Sequence, residues 1–98
     1  MTMRNYAEIS RRLEALSTAY LRVETAGVVE GYPVYHVALQ GAAGASRILL
    51  LTAGVHGDEP AGVEAALRFL ERDHAALLEH FHFMVVPCVN PTGYGSLI

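Results

Sequence analysis

His56 and Glu59 stand three residues apart in the stretch Gly54-Val55-His56-Gly57-Asp58-Glu59-Pro60-Ala61-Gly62. An imidazole nitrogen and a carboxylate oxygen at that spacing can point to one side of a tight turn, which Gly54 and Gly57 permit because they lack a Cβ. Both groups are zinc donors, and a catalytic zinc takes three protein groups while keeping one position for water. Such a metal polarises a carbonyl and brings its bound water toward ionisation near neutral pH. Spacing alone leaves a second reading open. Asp58 or Glu59 can instead cap the following helix, where a carboxylate meets orphan amides and the positive end of the dipole, with Pro60 pre-set for the first turn. His56 is then a polar loop residue.

The turn sits between two elements that can hold it in place. Residues 47–53 are apolar after Arg47 except for Thr52, the pattern of a strand covered on both faces. Residues 60–72 read as a helix, with Val63, Leu67 and Leu70 on its inner face and Arg68, Glu71 and Arg72 outward. Residues 73–79 read as a short helical turn and 81–89 as a further strand. Strand, helix and strand across residues 48–89 make a βαβ unit, expected to be parallel and right-handed. Ligands in open α/β sheets bind at the carboxyl ends of such strands. Upstream, residues 5–19 read as an amphipathic helix with Ile9, Leu13 and Leu16 inward and Arg11, Arg12 and Glu14 on the other side. Residues 21–30 and 34–40 alternate and are parted by Gly31-Tyr32-Pro33, which makes them a hairpin. Residues 41–46 form a connector. The fold class that follows is α/β, a mixed sheet opening with an antiparallel hairpin and continuing into the parallel unit.

The segment G-V-H-G-D-E-P resembles the first metal-binding motif of the M14 family of zinc carboxypeptidases, whose relatives include the succinylglutamate desuccinylases and aspartoacylases. Downstream, Val85-Val86-Pro87-Cys88-Val89-Asn90-Pro91-Thr92-Gly93-Tyr94 is similar to the strand and N-P-x-G-aromatic turn of those enzymes. N-P-x-G-Y is closer to the carboxypeptidase branch than to the aspartoacylase branch. The resemblance implies that His56 and Glu59 are the first two ligands of a Zn2+ ion. It further implies a hydrolase that cleaves an amide bond near a free carboxylate, in a peptide or an N-acyl amino acid. Family members carry a third zinc-binding histidine, a substrate-binding arginine and a glutamate general base further on, none of which is placed in residues 1–98. The chain therefore reads as the amino-terminal portion of one such domain, with no catalytic residue of its own and inactive alone. A deacylase of the aspartoacylase or desuccinylase type, and a non-catalytic α/β binding module, are the alternatives.

Composition agrees with a piece of a larger sheet. Of the 98 residues 52% are hydrophobic and only 17% charged, against about a quarter charged in average soluble domains. A net charge of −3 with mixed signs gives no basic stripe for nucleic acid or an anionic membrane. The longest apolar run is far below the ~20 residues of a membrane span, and the amino terminus lacks a signal-peptide core. A cytoplasmic location is the default, and an open sheet edge makes self-association an expectation.

Other polar residues have ordinary readings. His36 reads as half-buried in its strand; His74, His80 and His82 read as a solvated rim at the end away from the turn. The single cysteine, Cys88, reads as a small core residue with no histidine nearby in sequence to activate it. Asn90, Tyr94 and Asp58 are candidate substrate-binding residues. Asn90 opens a turn with Pro91 and Gly93 that falls at the carboxyl end of the strand beside the metal turn.

Overall fold

A computed structural model describes residues 6–16, 20–55 and 60–90 of the chain. The elements are α1 (Tyr6–Glu14), β1 (Leu21–Val29), β2 (Tyr32–Leu39), β3 (Arg47–Thr52), α2 (Pro60–Leu70), α3 (Ala75–Leu78) and β4 (Phe81–Val86). They form one four-stranded mixed sheet in the order β1-β2-β4-β3. β1 pairs antiparallel with β2 and β3 parallel with β4, as the sequence pattern predicts, while β2 pairs antiparallel with β4, a join the pattern does not give.

The hairpin turn lies one step earlier than expected. Glu30 and Gly31 are its two central residues, with φ of 50° and 84°, and Val29 pairs with Tyr32. Positive φ at both positions gives the backbone twist that suits a two-residue hairpin, and Gly31 takes it without steric cost. Tyr32 and Pro33 thereby belong to β2. The register slips between Thr25 and Gly27, so Ala26 is the extra residue of a bulge in the outer strand β1.

One face of the sheet carries Tyr35, Val37 and Leu39 of β2 and Phe83 and Val85 of β4, all buried. Period-2 alternation puts these odd-numbered positions together. The helices cover them with Ile9 and Leu13 from α1 and Val63, Leu67 and Leu70 from α2. Tyr6 ties α1 down: its hydroxyl donates to the Pro33 carbonyl, and its ring meets Tyr32 edge-on with centroids 5.5 Å apart. Burial raises the Tyr6 phenol above its ordinary pKa.

Arg12 does not face outward as the helical pattern suggested. Its guanidinium spans the seam between α1 and α2, bonding both oxygens of Glu64 at 2.7 and 3.0 Å and both of Glu71 at 2.7 and 2.9 Å. Hydrogen bonds from Arg12, then from Arg68, depress the Glu64 carboxyl to about 2, and Arg12 lowers Glu71 as well. The folded pKa lies below the ordinary value. The pairing therefore stabilises fully above about pH 4.5 and is lost as pH falls toward about 2. Water screens these half-exposed groups, so the network is worth about 1 kcal/mol. Arg12→Ala should lower the urea midpoint at pH 6 and flatten its fall between pH 5 and 3; an unchanged acid dependence would show that the seam lies elsewhere.

β3 differs from expectation in its burial. All six residues are exposed, Ile48 at 72% and Leu50 at 66% on the open face, and Leu49 and Leu51 at 39% and 40% toward the helices. Its place at the end of the strand order explains this, because among the described residues only β4 lies beside it.

Two histidines expected on a solvated rim are interior groups. His74 is 2% exposed; its Nε2–H donates to the Phe69 carbonyl, which can only accept, so Nδ1 accepts from the Tyr20 hydroxyl at 3.0 Å. His82 is half-buried. Its Nδ1 accepts from the Gly41 N–H at 2.9 Å and its Nε2–H donates to the Ala45 carbonyl at 3.2 Å, which staples the 40–46 connector to β4. His80 is exposed, and His36 is half-buried against Met84, Nδ1 to Sδ 3.3 Å.

Candidate functional site

Parallel pairing of β3 and β4 continues past the strands themselves. The Ala53 N–H donates to the Val86 carbonyl at 3.0 Å, the Val89 N–H to the Ala53 carbonyl at 2.8 Å, and the Asn90 N–H to the Gly54 carbonyl at 2.9 Å. Gly54 opens the first motif and Asn90 opens the second, so one backbone hydrogen bond joins the starts of the two segments singled out in the sequence. They meet at the carboxyl ends of neighbouring parallel strands, where α/β sheets bind ligands.

Gly54 is buried with φ of 71°, a conformation open to glycine and strained for other residues. A Cβ there would fall 2.9 Å from Val63 Cγ2, 3.0 Å from Cys88 Sγ and 3.1 Å from Cys88 Cα. The chain thus turns out of β3 in a space left by the first turns of α2 and by the segment after β4. Cys88 is 1% exposed, and burial pushes its thiol up to about 11. It stays protonated at neutral pH and serves as a core group, as its sequence context suggests.

Of the predicted site residues, Asn90 is half-buried and anchored to Gly54. His56, Asp58, Glu59 and Tyr94 lie outside the described residues. The described ends on either side of residues 56–59 are Val55, just beyond the Gly54 junction, and Pro60, the first residue of α2. Among the described residues, no group of three or more His, Cys, Asp and Glu side chains could hold a metal. The remaining described histidines are committed elsewhere or stand apart, His74 and His82 by hydrogen bonds at both ring nitrogens. A groove of about 430 Å³ on the open face, bounded by Ala38, Ile48, His82 and Met84, lies toward the amino ends of β3 and β4, away from the junction. None of the site residues singled out in the sequence lines it.

The contact of Cys88 with Gly54 was not readable from the sequence. Gly54 carried a signal, a glycine directly after an apolar strand, but its partner is 34 positions away and is recognisable only once β4 lies beside β3.

No helix among the described residues is long and apolar enough to cross a membrane. Comparison with curated proteins gives no match. The family model for zinc carboxypeptidases matches residues 8–96. Among solved structures, a candidate metallopeptidase from Shewanella amazonensis superposes with a TM-score of 0.71 at 33% identity, over 92% of this chain and 33% of its own. Bovine thrombin-activatable fibrinolysis inhibitor, solved with a tick carboxypeptidase inhibitor, gives a TM-score of 0.78 at 22% identity, over 96% of this chain and 33% of its own. A candidate carboxypeptidase A from Shewanella denitrificans gives 0.80 at 21% identity, over 99% and 29%. At those lower identities the likeness is one of fold. The chain spans about a third of the length of the solved structures it matches. With a match over residues 8–96 and a mixed sheet of the same fold, the chain belongs to the zinc carboxypeptidase family, peptidase family M14.

Proposed function

We propose that His56 and Glu59 supply two of the three protein donors of a catalytic zinc ion in a carboxypeptidase-type hydrolase. The observation that supports this reading is the bond between the Asn90 N–H and the Gly54 carbonyl, which joins the residues at which the two segments start. An imidazole and a carboxylate are donors that catalytic zinc accepts beside an open position, so the residues fit the metal. When bound, zinc polarises a scissile carbonyl and acidifies its water.

The chain's own part is to hold and orient. In this reading the β3–α2 junction orients the two donors, and Asn90 and Tyr94 are assigned to the substrate, offering an amide and a phenol able to bond a peptide backbone or a carboxylate. Asp58 caps α2 or faces the substrate. The third donor and the general base are assigned to polypeptide outside the 98 residues. The substrate is a peptide or N-acyl amino acid with a free carboxylate near the cleaved amide bond.

The test compares the 98-residue chain with the longest natural form of the protein. The long form should bind one zinc and hydrolyse C-terminal peptides in preference to N-acetyl or N-succinyl amino acids, while the 98 residues alone bind zinc weakly and hydrolyse nothing. Preference for the N-acyl amino acids would move the assignment to the deacylase branch. A long form without zinc or turnover would leave a binding module.

A further inference from the structure

We infer that Cys88 and Val63 are positioning residues for the loop that carries His56 and Glu59, acting through their packing on Gly54; the inference rests on the zinc reading above.

Gly54 stands two residues before His56, Val63 lies in the first turn of α2, and Cys88 stands two residues before Asn90. One point of contact therefore joins the strand that leads into the donor loop, the helix that leads out of it, and the start of the second motif. The fit is tight from every side. Cys88 Cα is backbone and cannot rotate away, while Val63 is fully buried, with its Cγ2 closest to the missing Cβ position. The bonds from Val89 to Ala53 and from Asn90 to Gly54 hold two of these segments, the end of β3 and the start of the second motif, through their backbones, and Val63 packs the third against them. Any group added at Gly54 must part β3 from either α2 or the segment after β4. Because interiors are close-packed, the displacement cannot be absorbed locally and passes to the donor loop. Misplacements of about 1 Å at a catalytic site cost roughly a hundredfold. The thiol suits this place, as a small, polarisable and adaptable filler.

The test uses the longest natural form and three readouts: zinc affinity by chelator competition, the visible spectrum of the cobalt(II)-substituted protein, and melting of the metal-free protein. Gly54→Ala should weaken zinc about tenfold or more and shift the cobalt bands, the size seen when groups supporting a metal ligand are altered. Cys88→Ala removes only the sulfur. It should keep the fold, shift the cobalt bands and weaken zinc by a smaller factor. Leu13→Ala in α1 is the control for stability alone: it should lower melting of the metal-free protein and leave zinc affinity and the cobalt spectrum unchanged. If Gly54→Ala does not fold, Cys88→Ala decides. Zinc affinity within twofold of the parent and an unshifted cobalt spectrum, while His56→Ala loses zinc, would overturn this inference alone. Zinc retained by His56→Ala would overturn the zinc reading and this inference with it.

Discussion

Alanine in place of His56, in the longest natural form of the protein, should weaken zinc binding by more than about a hundredfold and lower turnover by about a thousandfold or more, with the metal-free fold retained. The size follows from what is removed. Altering groups that merely support a ligand already costs 10–100-fold in metal affinity or activity, so loss of a donor itself must exceed that. A zinc ion contributes several kcal/mol to transition-state stabilisation, and about 1.4 kcal/mol is a factor of ten in rate. The fold should survive because the junction is held by backbone bonds of Ala53, Gly54, Val89 and Asn90 and by the packing of Val63 and Cys88, none of which needs the imidazole. Glu59→Ala separates the two readings of the turn. As a ligand, Glu59 takes zinc with it when lost. As a cap directly before Pro60, its loss costs about 1 kcal/mol of stability and leaves zinc in place. Zinc titration and melting of both variants decide, and zinc retained by both would end the metal assignment.

The elements around this site were legible because their periodicities are strong. Val63, Leu67 and Leu70 recur at helical spacing, and all three are buried. Alternation in β1 and β2 gave the hairpin, and the strand-helix-strand order gave the parallel pairing of β3 with β4. From that pairing alone Asn90 was expected beside the metal turn, and its N–H bonds Gly54. Partners contributed by distant segments were not legible. His74 meets Tyr20 from 54 positions away and His82 meets Gly41 from 41 away, and no local pattern distinguishes such histidines from solvated ones. Arg12 was misread for the same reason, since Glu64 and Glu71 reach it from another helix. The run Ile48-Leu49-Leu50-Leu51 shows a different limit. An apolar strand records the neighbours it is suited to, whereas its burial depends on which of them are present. Here β3 is the last strand of the described sheet, in a chain spanning a third of the structures it matches.

Gly41→Ala should destabilise the fold by about 3 kcal/mol or more, while Gly44→Ala, three residues along the same connector, should change stability by no more than about 0.5 kcal/mol. β2 and β3 are consecutive in the chain but lie on either side of β4, so residues 40–46 must cross its amino end. The crossing is close. A Cβ on Gly41 would sit 2.3 Å from the Phe81 carbonyl oxygen and 2.9 Å from that of Leu78, whereas one on Gly44 would meet nothing within 4 Å. A third obstruction is the Ala45 Cβ at 2.9 Å; two of the three atoms are backbone and a Cβ has no rotamer, so no side-chain rotation relieves them. Lifting the connector would break the bond from the Gly41 N–H to His82 Nδ1 and the 2.7 Å bond from the Ala42 N–H to the Leu78 carbonyl. It would also pull on the join between β2 and β4, which rests on the short register from Val37 to Leu39. Since β4 carries β3 at its other edge, the two halves of the sheet loosen together. For a domain whose total stability is 5–15 kcal/mol, a loss of that size leaves a large unfolded fraction under mild denaturant. Urea unfolding of the two variants side by side measures the contrast, and equal midpoints would mean that the crossing is not the constraint its geometry implies.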